Sequence, residues 1–341
     1  PLLRAENNER NINNWKKQFK KINGNGTERR LIMKKVVTYI ILTAFLFGTM
    51  EIALKIAGST FDSIQLTFLR FLIGGLVLTP FGVAEIRKDN IKITKGDWLW
   101  LLLVGIMGIA ISMLAFQIGV QHCNASTAAA LICLNPLFTM VIAHFFTSEK
   151  MDKAKGLAFF IGIVAAVFMI RPWDVQPGNT VFGMATMLLA SVTFAAYTVM
   201  GKKTIGRIGT FAQTSISFIL GSLVLLLVLI PMGRPVFAHI TEQPLVLLYC
   251  GIVVTGLGYL FYFLAIRYSD ATTGSIAFFI KPAIAPVLAV AILGEHVYWN
   301  TIVGIVLLIT ASVITLRDTW STEDPEIEET ELEVREGLEV E

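Results

Sequence analysis

Stretches of about twenty apolar residues follow one another along this chain with only short polar connections, and that spacing leaves few folds open. Ten such stretches are predicted, at 36–57, 62–84, 97–118, 125–147, 154–171, 179–200, 210–231, 244–266, 271–293 and 297–316. Each is long enough to cross a hydrocarbon core about 30 Å thick at roughly 1.5 Å per helical residue. A chain in lipid must satisfy its own backbone hydrogen bonds, and no alternation of about ten residues suggests a barrel. The expected fold class is therefore an all-α polytopic membrane protein of ten transmembrane helices. Composition agrees, at 55% hydrophobic and 16% charged residues, against roughly 25% charge in ordinary globular chains.

The charges that remain are unevenly placed. Residues 1–35 hold ten of the 28 Lys and Arg residues, and residues 321–341 hold ten of the 25 acidic ones. Both ends read as solvated tails. The basic segment abuts a transmembrane helix, which favours a role in topology and contact with anionic lipid over nucleic-acid binding. With the N-terminus inside, the inner connections carry Arg87, Lys88, Lys92 and Lys95, then Lys150, Lys153 and Lys155, then Lys202, Lys203 and Arg207, and finally Arg267. The outer connections carry Arg171 and Arg234. Both termini are expected in the cytoplasm. Met33-Lys34-Lys35 before an apolar run resembles a bacterial start, so residues 1–33 are set apart as a basic extension and 319–341 as an acidic tail.

The chain also repeats itself at an offset of 146–147 residues. "FLIGGLVL" at 71–78 falls on "FILGSLVL" at 218–225, "NASTAA" at 124–129 on "DATTGS" at 270–275, Pro136 on Pro282 and Glu149 on Glu295. Two halves of five helices are expected, 34–171 and 172–318. Because five is odd, the second half enters the membrane in the opposite direction, which makes an inverted repeat. Such repeats are a signature of transporters, whose two half-structures exchange conformations around a site near the midplane.

Charged residues inside apolar spans are candidates for that site. Lys281 is the eleventh residue of its span, near the midplane, and Pro282 and Pro286 break the same helix. It either faces an aqueous cavity or is locked to a carboxylate. At the equivalent place in the first half Asn135 precedes Pro136; this asparagine contributes to a site or bonds a neighbouring helix. Glu51 and Lys55 share a helical face with Arg70 at comparable depth on the next helix, so an ion cluster serving as a structural bridge, or as a gate or coupling site, is expected. Gln117, Tyr259 and Tyr262 are polar handles that line a cavity or, for the tyrosines, belong to an interfacial belt. Glu149 and Glu295 close their spans and are expected to satisfy turns or helix starts.

Other chemistry lacks its parts. Cys123, Cys133 and Cys250 form no CxxC and read as small hydrophobes, so neither a metal nor a cofactor is expected. The sequence contains no HExxH and no Walker motif, and no GxSxG lies in a span, which removes hydrolysis and direct ATP use.

The two halves, "FLRFLIGGLVL", and "NASTAAALICLNPLFTMVIAHFFTSEKM" answered by "DATTGSIAFFIKPAIAPVLAVAILGEHV" together resemble EamA-type members of the drug/metabolite transporter superfamily. The resemblance covers about residues 34–316. It implies a basket of ten helices with a central solute cavity, and alternating-access transport, commonly export of amino acids, other metabolites or toxic compounds. Arg70, Pro136, Pro282, Glu149 and Glu295 fall on positions of the family motifs, whereas Phe47, Glu51 and Lys281 depart from them. The expected protein is a secondary transporter of a small organic solute in a bacterial inner membrane, with the lipid bilayer and the solute as its partners. Lys281, Asn135, Gln117, Tyr259 and Tyr262 are its candidate substrate contacts, and Glu51 and Arg70 its gate or coupling pair. An importer of phosphorylated or nucleotide-sugar-like metabolites, and a sensor acting through its tails, are the rival readings.

Overall fold

The computed structural model describes residues 26–147, 151–170, 177–281 and 284–321. Among these residues the fold is helical throughout. Eight helices are long and apolar enough to cross a membrane: α1 (Leu31–Ala57), α2 (Ser63–Lys88), α3 (Lys95–Gln121), α4 (Ala125–Phe146), α6 (Val181–Ile208), α7 (Thr210–Leu229), α8 (Pro244–Tyr268) and α9 (Ala271–Leu293). Between and after them lie α5 (Lys153–Ile170) and α10 (Trp299–Ser321), which pack against each other.

Helix starts carry side-chain acceptors where they meet water. Asp62 accepts from the Ile64 amide, Thr94 and Asp97 form a reciprocal capping box, Thr180 accepts from Gly183 and Asp270 from Thr273. Several helices run past the apolar stretches that announce them. α6 continues through Lys202 and Lys203 to Ile208, because polar turns at the water boundary keep their intrahelical bonds.

Three helices are interrupted. α1 breaks at Thr49, between Gly48 and Met50. α4 breaks after Ile132 and restarts at Asn135, with Pro136 in the first turn of the new piece. α9 is assembled from Ala271–Ser275, Ala277–Ile280 and Ala285–Leu293, with Pro286 in the first turn of the last piece. Proline is tolerated there because the first turn has no intrahelical acceptor for its missing N–H. Pro282 and Glu149 lie outside the described residues.

Two π-helical stretches were not anticipated from sequence: Ile106–Met113 in α3 and Tyr249–Leu257 in α8. Both sit where backbones come close. A Cβ on Gly221 of α7 would lie 2.6 Å from the Gly105 carbonyl oxygen, and one on Gly74 of α2 would lie 3.0 Å from the Gly251 carbonyl oxygen. A side chain at either place would collide with backbone, so only glycine permits the approach.

The packing has a plain regularity. α3 packs on α6 and α7, while α8 packs on α1 and α2; α4 packs on α6, and α9 on α1; α2 packs on α7, and α5 on α10. Replacing each helix by the one five places along the chain returns the same set of pairings. The core between them is aromatic. Phe71 meets Phe218 edge to face at 4.8 Å, and Tyr259 lies 5.5 Å from Phe71 and 5.2 Å from Phe218 between ring centroids.

Candidate functional site

α1 brings Glu51, and α9 brings Lys281, to the same place in the bundle interior. Lys281 Nζ donates to Glu51 Oε1, and both side chains are wholly enclosed. Rather than facing water, Lys281 is neutralised by a carboxylate 230 residues away. A lone ammonium at this depth would carry an unpaid desolvation cost, and the pair removes most of it. The ammonium also sits 5.4 Å from the Phe116 ring centroid and 5.8 Å from that of Phe278. Glu51 Oε2 has no hydrogen-bond partner among the described residues.

Glu51, Lys55 and Arg70, expected as an ion cluster, are not joined to one another by any ion pair among the described residues. Lys55 lies one turn further along α1, and its side chain reaches away from Glu51. It donates to Glu295 Oε1 at 2.7 Å and to the Cys123 carbonyl at 3.0 Å. Glu295 in turn accepts from the backbone N–H groups of Ala125, at 2.9 Å, and Ser126, at 3.3 Å, at the start of α4. The carboxylate thereby ties α1, α4 and the end of α9 together, using the positive end of a helix as well as the lysine.

Arg70 on α2 is also fully enclosed. One terminal nitrogen donates to Thr255 Oγ1 of α8 at 3.3 Å, and the guanidinium lies 4.4 Å from the centroid of the Phe71 ring. Its Nε and other terminal nitrogen make no hydrogen bond of ordinary geometry with the described residues. Gln117 of α3 is buried with both amide atoms equally without partners.

The remaining candidates serve as ties between helices. Asn135 Nδ2 donates to the Ser191 carbonyl of α6 at 3.2 Å, and its Oδ1 accepts from Thr139 at 3.3 Å. Tyr259 donates to Met113 Sδ at 2.7 Å, and the Tyr262 and Thr198 hydroxyls are bonded at 2.7 Å. Both tyrosines are deep in the bundle, so neither belongs to an interfacial belt. All three cysteines are buried and free. Cys123 lies in the turn before α4, where burial pushes its thiol up to about 11.

Sequence reading passed over a second carboxylate tie, at the other end of the bundle. Glu85 of α2 accepts from the N–H groups of Thr210, Phe211 and Ala212 at the start of α7, at 3.1, 2.8 and 3.1 Å, and from Arg267 of α8 at 2.7 Å. The available signal was an acidic residue at the end of a span followed, at 209–210, by a Gly-Thr helix start. It was lost among the basic residues that surround Glu85.

The EamA-like transporter family model matches twice, over residues 34–171 and 181–317. The chain belongs to the EamA-like transporter family. It is thus a membrane transporter of the drug/metabolite transporter superfamily and not an enzyme. An uncharacterized transporter of Clostridium kluyveri is 37% identical over 299 residues, covering 86% of this chain and 96% of that one. Another, from Archaeoglobus fulgidus, is 24% identical over 285 residues, covering 84% and 99%. The S-adenosylmethionine uptake transporter of Rickettsia bellii is 24% identical over 286 residues, covering 82% and 92%. One crystal structure matches with a TM-score of 0.64 at 16% identity, covering 85% of this chain and 99% of its own, which establishes a shared fold.

Proposed function

We propose that this EamA-like transporter moves a small organic solute bearing both a carboxylate and an amino group, by alternating access, in the direction of export. The observation that carries the reading is Arg70, an enclosed guanidinium two of whose nitrogens make no hydrogen bond of ordinary geometry with the described residues. A planar fork of this kind suits a carboxylate held through two parallel bonds. Glu51 Oε2 is the matching open acceptor for an ammonium, and Gln117 can meet either group. Lys281 then holds the Glu51 carboxylate in position instead of attracting the solute itself. Asn135, Tyr259 and Tyr262 form the walls, and the helix breaks at Pro136 and Pro286 let those walls move.

Several contacts support two halves, 34–171 and 172–318, inverted with respect to each other, with α5 and α10 completing ten spans. Phe71 and Phe218 occupy the same place in the repeat and touch; so do Met113 and Tyr259, which are 146 residues apart. The approach of Gly221 to Gly105 corresponds to that of Gly74 to Gly251 with the halves exchanged. A residue meets its own counterpart where a two-fold axis passes. Glu295 on one face and Glu85 on the other would then be ties that open alternately. The basic connections support cytoplasmic termini in a bacterial inner membrane, with residues 1–33 and 319–341 flanking the transport unit.

A phosphorylated solute fits less well. It needs several converging cations, and of the two buried ones among the described residues, Arg70 and Lys281, the latter is committed to Glu51.

The test is flux in proteoliposomes, read in both directions, for a panel of amino acids, organic anions and S-adenosylmethionine, the last suggested by the name of the Rickettsia relative. Transport of carboxylate-bearing solutes is expected for the native chain, with a much higher half-saturating concentration in Arg70→Lys. Native flux in a well-folded Arg70→Lys would remove Arg70 from the site and this reading with it.

A further inference from the structure

A groove of about 360 Å³ opens on the flank of the bundle between α1, α8 and α9. Its walls are branched aliphatic side chains, among them Ile56, Leu245, Leu288 and Ile292. Its two polar side chains are Thr49 and Tyr249, whose hydroxyls bond each other at 2.7 Å. Thr49 also donates to the Leu46 carbonyl at 2.8 Å, so both hydroxyl protons are engaged and neither is left to donate to a headgroup or a polar solute.

Three features name the occupant. All three helices are long and apolar enough to cross the membrane, and the rim faces out of the bundle, with Leu245 79% and Ile292 57% exposed. Where these helices cross a bilayer, their outward surface meets hydrocarbon. The groove also runs along the helices: Thr49 to Ile56 spans seven residues, about 10 Å at roughly 1.5 Å each. Its lining thus extends along the direction that the acyl chains of a bilayer take, and its size falls within the usual range of specific pockets, about 300–1,000 Å³.

We propose that this groove is a binding seat for one acyl chain of a membrane phospholipid. A chain lying there fills the space between α9 and the outer piece of α1. That piece begins at the helix break at Thr49 and carries Glu51 on its interior. The bound chain thus backs the segment that presents Glu51, and its place is separate from the proposed solute site.

The experiment uses the full chain reconstituted in vesicles of phosphatidylcholine and phosphatidylglycerol, with a trace of phosphatidylcholine whose acyl chain carries a diazirine. After irradiation, adducts are mapped by peptide mass spectrometry. Adducts on the segment containing Leu288 and Ile292 are expected several-fold above those on a plain lipid-facing position such as Leu227 of α7, which is 71% exposed. Leu288→Trp, which fills the groove, should bring that excess down to the level of Leu227 and leave Leu227 unchanged. Ile292→Trp provides the same test should Leu288→Trp fail to fold. Equal labelling of groove and flank in the native chain would overturn the proposal, as would an excess that survives both fillings. So would crosslinks from this segment to a second copy of the chain in place of lipid.

Discussion

Phe71 and Phe218 stand 147 positions apart in the sequence, occupy the same place in the internal repeat, and touch ring edge to ring face at 4.8 Å. Met113 and Tyr259, 146 apart, are likewise in contact. In the proposed arrangement of two inverted halves, contacts of this sort would lie near the axis relating them, and Tyr259 also neighbours the Arg70 guanidinium. A change at one of these positions is felt by its counterpart directly.

The Glu51–Lys281 pair should respond asymmetrically to single and double substitution. Removing one partner leaves an enclosed charge without compensation, a loss of about 3–5 kcal/mol by comparison with other buried pairs. Glu51→Gln and Lys281→Met are each expected to lower the thermal midpoint in detergent. The double substitution Glu51→Gln with Lys281→Met should recover most of it while transport stays lost. A double variant no more stable than either single one would mean that the pair is not coupled.

Arg70→Lys keeps the positive charge and discards the planar fork. One charge-assisted hydrogen bond is worth about 1.5–3 kcal/mol, which corresponds to about 10- to 150-fold in apparent affinity. The expected outcome is a rise of that order in the half-saturating concentration of a carboxylate solute, measured by flux, with an unchanged elution profile on size exclusion.

At the glycine contacts, backbone leaves no space for a methyl group. A Cβ on Gly105 would lie 2.5 Å from the Ser217 carbonyl oxygen, so Gly105→Ala forces α3 and α7 apart. A destabilisation of about 1–3 kcal/mol is expected from such overpacking. At Gly251, the counterpart on α8, a Cβ would instead meet the Ile73 side chain at 2.8 Å, so Gly251→Ala should cost less than Gly105→Ala. Fluorescence-detected size exclusion after a heating series compares the two, whereas Gly156→Ala, with open space around it, should behave as the native chain.

Cys123 reports on the tie between Lys55 and Glu295. Because burial holds its pKa near 11, only a fraction of about 10⁻³ is thiolate at pH 8. Maleimide labelling at this residue should be slow at neutral pH and climb steadily as pH rises toward 11. Lys55→Met releases the Cys123 carbonyl and the Glu295 carboxylate together, and should raise the labelling rate several-fold at a fixed pH. Rates that do not differ between the native chain and Lys55→Met would show that the tie does not hold this end closed.

Much of the architecture was legible in sequence because burial in lipid imposes a length and a composition on every crossing. The matched segments "FLIGGLVL" and "FILGSLVL" lie on α2 and α7, which pack on each other. Partner choice was not legible. Glu51 and Lys55 share a helical face, yet each finds its opposite charge more than 200 residues away, on or beside α9. Which of two nearby positions reaches which partner depends on helix rotation and depth, and a pattern of residue types does not contain these. The π-helical stretches escaped for a related reason: glycine-rich apolar sequence is equally compatible with a regular α-helix, and only the close approach of a neighbouring backbone distinguishes them.

The Glu51–Lys281 pair has a consequence for how the chain is made. α1 leaves the ribosome with its carboxylate, and the ammonium that answers it is 230 residues behind. At about 5–20 residues per second, the first helix waits on the order of ten to fifty seconds with that acid lacking its final partner. A chain truncated before α9 would carry an unanswered charge in its first span, a defect by which a membrane quality-control protease could tell an unfinished copy from a finished one.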